Sequence, residues 1–257
     1  IKVFKDALNE ISLEASEISF DALSEQDMEF LLDYTEFSPI LYNIWNQSKA
    51  DVGNDYYGQF PLSFMKNLLY YHTQPFDFVY DPFAGGGTTI EACEFMYRQW
   101  YTTDLNPLSN RKDEIYQWDI ANGLPEEIPK PALVFLDPPY WKQAKGKYSD
   151  KEQDLSNMSL EKFYDSMYEF LKVVSQKRVE RIAIVISPTQ YPNDDHKFED
   201  HIFKFYSALD KNYEIEMRYL LPYSTQQYNG TQVDIMKDEQ KAMTLIRDLV
   251  VWRRKEK

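Results

Sequence analysis

The sequence predicts an α/β fold: an open, mostly parallel sheet with helices on both faces, one antiparallel closing strand and a helical N-terminal extension. Three observations carry that expectation. Short apolar runs of strand length recur between segments of helical periodicity, several of these runs end in Asp, and the turn after the first is rich in glycine. Alternation of this kind puts ligands at the carboxyl ends of the strands. At 257 residues and 43% hydrophobic content, the chain can bury one full core with a small appendage.

Residues 1 to about 50 lack Gly and carry apolar positions at helical spacing, such as Phe4, Leu8 and Ile11, then Phe30, Leu31 and Tyr34. They read as the helical extension, residues 1–50, ahead of a main domain over 51–257. Val52 to Pro61 has the Gly, Asn and Tyr content of a loop, and a helix follows over Leu62 to Tyr71. Phe76 to Tyr80 suits a buried parallel strand, and Thr88 to Arg98 a helix with Ile90 and Cys93 inward. Gln99 to Thr103 is the second strand, ending in Asp104; Glu114 to Trp118 is the third, ending in Asp119; Ala132 to Leu136 is the fourth. A helix over Leu160 to Val174, a fifth strand over Arg181 to Ile186 and a helix over Phe198 to Leu209 complete the alternation, and Glu214 to Leu221 with Asp248 to Arg253 supply the closing pair. The connection from Leu105 to Asp113 is short for a parallel crossover, which normally takes a dozen or more residues. The reading adopted is a crossover that has lost its helix; the other is that residues are missing there.

Composition narrows the function classes. The lone Cys93 cannot form an internal disulfide, and no Cys/His cluster has zinc-ligand spacing, so a reducing compartment and no metal are expected. His72, His196 and His201 share no spacing that suggests a metal site or a triad. No apolar run approaches the ~20 residues that span a bilayer, and no basic-then-apolar leader opens the chain; a cytoplasmic protein with no membrane association is expected. The chain begins with Ile1, which reads as a fragment or a processed form. A net charge of −14 is awkward for holding a polyanion. Much of the acidity falls in the first sixty residues, most simply as solvated helix faces and otherwise as a docking surface, while Lys142, Lys145 and Lys147 cluster later in the chain.

The first motif is Asp81-Pro82-Phe83-Ala84-Gly85-Gly86-Gly87-Thr88-Thr89, a glycine turn between a strand and a helix. Gly85, Gly86 and Gly87 let backbone approach a ligand closely, and Thr88 with Thr89 add hydroxyl donors at a helix start. The Lys of a phosphate-binding loop is missing and the glycine spacing is not that of the dinucleotide fingerprint. Asp81 suits a cationic amine, Asp104 the hydroxyls of a ribose, and Asp119 the exocyclic amine of an adenine. A ligand with an amino acid end, a ribose and an adenine is S-adenosylmethionine. The plain alternative is that these acids cap helices or turns.

The second motif, Asp137-Pro138-Pro139-Tyr140, closes the apolar run Ala132 to Leu136. The exocyclic amine of a nucleobase is a poor nucleophile because its lone pair is delocalised into the ring. An Asp137 carboxylate and the Pro138 carbonyl can accept its hydrogens and return the lone pair to nitrogen, the two prolines fix the turn, and Tyr140 can stack on a base taken out of its duplex. Trp141 either extends that surface or packs in the core.

Through these two motifs the chain resembles the amino-methylating DNA methyltransferases, which act on adenine N6 or cytosine N4. The resemblance runs from about Tyr57 to Arg254, and in it Tyr57-Gly-Gln-Phe60-Pro61 is similar to the segment that closes over the cofactor. It implies a Rossmann-like methyltransferase sheet, S-adenosylmethionine as cofactor and a flipped DNA base as substrate, with adenine favoured, in a cytoplasmic, nucleoid-associated protein of prokaryotic or phage type, as in restriction-modification. A cytosine N4 enzyme, an RNA guanine-N2 methyltransferase and a non-catalytic subunit of the same fold are the alternatives. The chain departs from the family in offering no large segment for target recognition. Trp141 to Met158, with Lys142, Lys145 and Lys147, and Ser224 to Tyr228, with Gln226, Gln227 and Tyr228, are the candidate nucleic-acid contacts; a partner protein or a missing segment is the other source of specificity.

Overall fold

The computed structural model describes residues 37–46, 59–142, 145–190, 197–223 and 228–256. Seven strands form one sheet in the order β3-β2-β1-β4-β5-β7-β6. They are β1 (Phe78–Asp81), β2 (Gln99–Asp104), β3 (Ile115–Gln117), β4 (Leu133–Leu136), β5 (Arg181–Ile186), β6 (Tyr213–Pro222) and β7 (Ile246–Arg254). Neighbours from β3 to β5 run parallel, and β7 is antiparallel to both β5 and β6. The helices are α1 (Leu62–His72), α2 (Thr88–Phe95), α3 (Leu160–Gln176), α4 (His201–Leu209) and α5 (Gly230–Asp238).

Strand periodicity splits the core in two. Val134 and Leu136 of β4 join Ile182, Ile184 and Ile186 of β5 on one face, under Phe163, Met167, Phe170 and Leu171 of α3. Leu133 and Phe135 join Ala183 and Val185 on the other, under α1 and α2. All four residues of β4 are buried, the mark of a strand covered on both sides. Each such large side chain contributes roughly 1.5–3 kcal/mol on burial. The apolar stripe of α3 recurs every three or four residues, and Ser159 caps its start by accepting from the Lys162 amide.

Two departures from the sequence reading are instructive, and one expectation stands between them. Residues 37–46, the described part of the expected helical extension, are extended, not helical: Asn43 and Trp45 bond to Leu220 on the edge of β6 (Leu220 N to Asn43 O 2.8 Å, Trp45 N to Leu220 O 3.0 Å), and Trp45 is buried against Tyr219 with ring centroids 4.1 Å apart. The remainder of that extension lies outside the described residues. The short connection from β2 to β3 agrees with the expected crossover that has lost its helix: it holds one 3₁₀ turn, Ser109–Arg111, and no α-helix, and the strands pair in parallel through Thr102↔Ile115 to Asp104↔Gln117. The second departure is α5, which the sequence reading did not expect because its polar sequence lacks an apolar stripe; the Asn229 and Gln232 capping box starts it.

Candidate active site

The glycine turn leaves β1 at its carboxyl end and enters α2. Gly85 and Gly87 take positive φ, 49° and 90°, a region that only glycine enters without strain. Asp81 is buried, and its oxygens accept from the Phe83 amide and the Thr89 hydroxyl. Burial pushes its carboxyl up to about 7 against those two bonds, with the nearby Asp137 and Asp104 carboxylates adding to the rise. The carboxylate is thus engaged in ordering the turn, where the sequence suggested a direct partner for a cationic amine.

Asp104 ends β2, accepting from the Gly85 amide at 3.0 Å and the Asn106 amide at 2.8 Å, and burial raises its pKa. Asp119 follows β3 and accepts from the Ala121 amide at 2.9 Å, capping a 3₁₀ turn. All three acids therefore cap local backbone, and the sheet still gathers them at one end. Thr88 and Thr89 are buried. Gln59 donates to the Thr88 hydroxyl at 3.0 Å, bringing the segment before α1 onto the turn. Phe60 is buried beside Phe135, their centroids 5.1 Å apart, and Pro61 caps α1; Tyr57 lies outside the described residues.

Asp137 to Tyr140 follow β4, the strand beside β1. Burial pushes the Asp137 carboxyl up to about 7, against the pull of the Arg247 guanidinium and a hydrogen bond from Tyr140. Pro138 is buried, and Asp137, Pro139 and Tyr140 are half-buried. Burial raises the Tyr140 pKa well above the usual phenol range, with the Asp137 charge adding to the rise and the Arg247 guanidinium opposing it. Trp141 is core, 3% exposed, its indole donating to Met158 O at 3.0 Å. Lys142 is half-buried with its ammonium 4.8 Å from the Trp141 ring, and Lys145 and Lys147 are exposed on the same loop. Lys151 of this loop donates to Leu105 O at 3.1 Å, pinning it near the end of β2. Tyr228 bonds to Thr244 O at 3.0 Å, while Gln226 and Gln227 lie outside the described residues.

Sequence reasoning missed two arginines. Arg111, in the short crossover, donates from Nη1 to Gly86 O at 2.7 Å and pairs with Glu114 and Glu91. A Cβ at Gly87 would come within 2.4 Å of its Nη1. Arg247 is the second residue of β7, one position beyond the Ile186↔Asp248 pair, which sets it at the carboxyl end of β5 within the electrostatic reach of Asp137. A basic residue at the head of the buried run Leu249 to Trp252 was the available signal. Among the described residues, no group of three or more His, Cys, Asp or Glu has the geometry to hold a metal ion, and no helix is long and apolar enough to cross a membrane.

A parallel sheet with an antiparallel β7 inserted between β5 and β6, a glycine turn after β1 and an acid ending β2 make this a Rossmann-like sheet with the topology of the methyltransferase fold. The sequence model of the N6/N4 methylase family, described as DNA methylase, matches residues 1–109. The resemblance to the amino-methylating DNA methylases is thereby shown over a stretch that contains the glycine turn and Asp104 and stops short of Asp137. Two type II methyltransferases, M.XycI of Xanthomonas campestris pv. cyanopsidis and M.Cfr9I of Citrobacter freundii, are each 31% identical over 65 and 64 residues. Each match spans 25% of this chain, and 22% and 21% of the respective relatives. Among solved structures, TrmN from Thermus thermophilus superposes with a TM-score of 0.49 at 14% identity, over 77% of this chain and 50% of that one. A precorrin-6y C5,15-methyltransferase from Geobacter metallireducens GS-15 gives 0.44 at 13%, over 87% and 95%.

Proposed function

We propose that the chain transfers a methyl group from S-adenosylmethionine to an exocyclic amine of a DNA base, adenine N6 or cytosine N4. What supports this most is that Asp137 and the glycine turn leave adjacent parallel strands at the same sheet end, close enough for the Asp137 charge to raise the Asp81 pKa. Three desolvated carboxylates, Asp81, Asp104 and Asp137, share that end. Such a field suits a cationic sulfonium and ammonium and repels a phosphate chain. The cofactor, when bound, supplies an electrophilic methyl. Phe60, Pro61, Phe83, Gly85 to Gly87, Thr88, Thr89, Asp104 and Asp119 are the residues proposed to hold it, with Asp81 fixing the turn.

On the base side, Asp137 and the Pro138 carbonyl accept the amine hydrogens and draw the nitrogen lone pair out of the ring, and Pro139 stiffens the turn. Tyr140 lies close enough to Asp137 to influence its pKa and offers its ring to the base. The exposed Lys145 and Lys147 suit phosphate contacts, and a partner protein or further segment supplies target recognition. Asp137→Ala abolishes methyl transfer to DNA, followed with a labelled methyl group and nucleoside mass analysis, while calorimetry finds S-adenosylmethionine binding changed by no more than a few-fold. Turnover near wild type in that variant would remove the assignment.

A further inference from the structure

The reading above gives no task to Arg247. This residue is 6% exposed, with its guanidinium carbon 5.3 Å from the Tyr223 ring centroid and 5.8 Å from that of Phe60. Its charge interacts with Tyr140, Tyr223 and Asp137. Its Nε, however, is buried with no hydrogen-bond partner, a condition shared among the described residues only by Trp252 Nε1. An unmet donor on a buried charge is among the costliest things a fold can retain, and in a functional site it points to a ligand atom. Two aromatic rings pack around the guanidinium and limit its freedom to move.

We propose that Arg247 is a specificity-determining residue, donating from Nε to the ring nitrogen that neighbours the reacting amine of the flipped base. The inference rests on the function proposed above. In adenine the amine N6 adjoins N1, and in cytosine N4 adjoins N3; both edges place a donor beside an acceptor. Their complement is an acceptor beside a donor, which Asp137 and Arg247 provide. Guanine places N2 beside N1–H, two donors in a row, and a guanidinium has no acceptor to offer. The pocket therefore takes adenine or cytosine and turns away guanine, which separates it from guanine-N2 methylation.

Replacing the ring nitrogen with carbon tests this on the unaltered protein. Nucleoside analysis of methylated DNA first identifies the base; duplexes then carry 1-deazaadenine or 3-deazacytosine at the methylated position. Wild type is expected to lose about tenfold or more in kcat/KM on the deaza substrate. Arg247→Met is expected to lose as much on the natural base and nothing further on the deaza one. Equal rates for wild type on both substrates overturn the inference, as do losses that multiply between variant and analogue, or N2-methylguanine as the product. If wild type methylates no DNA base, the proposed function falls and this inference with it; ordinary methylation without a deaza penalty overturns the inference alone.

Discussion

Asp137 shows how one residue sets two opposed pH responses. In the proposed role it accepts amine hydrogens and must be ionised, and burial holds its pKa at about 7. The acid limb of the kcat/KM profile is therefore expected near pH 7, well above the usual carboxylate range, and a limb near pH 4 would contradict the stated environment of the residue. Stability moves the other way. A carboxyl whose folded pKa exceeds its unfolded value binds its proton more tightly when folded, so its stabilising contribution is complete below about pH 4 and is lost as the pH rises through about 7. Asp137 was legible because its chemistry is written in consecutive residues at a strand end. Arg247 was not, because the contact that matters joins β7 to β4 across β5, and no local pattern encodes it.

The glycine turn and the shortened crossover behave as one element. Arg111 replaces the missing helix as the brace, holding Gly86 by its carbonyl and lying where a side chain on Gly87 would project. Gly87→Ala meets both the positive φ and this guanidinium, and is expected to cost about 2 kcal/mol in urea unfolding and to weaken S-adenosylmethionine binding. In an Arg111→Ala background the clash disappears and the backbone strain stays, so the penalty should fall to about 1 kcal/mol. An undiminished penalty would show that the guanidinium has no part in it. The turn was readable from its glycines and the strands from unbroken runs such as Leu133 to Leu136. The brace was not, since Arg111 sits in a polar loop whose course depends on the β2–β3 register.

Across the whole molecule, the proposed catalytic end and the anchoring end are separated by the length of the sheet. Arg98, just before β2 and far from Asp104 at its other end, is 1% exposed; it donates to Thr73 Oγ1 at 2.9 Å, Thr73 O at 2.9 Å and the Met96 carbonyl, tying the end of α1 to the α2–β2 turn. Removing a buried charge-assisted network of this kind costs about 3 kcal/mol. Arg98→Ala is accordingly expected to lower the urea midpoint strongly, while kcat measured on the folded protein stays within about twofold of wild type. A changed kcat with an unchanged midpoint would reverse that assignment. The other border of the sheet shows the same economy at the backbone level. β6 is an outer strand, and the Asn43–Trp45 segment meets its Leu220 amide and carbonyl while Trp45 lies over Tyr219. Stripped of that segment, the strand would present free ladder groups beside an uncovered aromatic surface, the template on which chains recruit one another into aggregates.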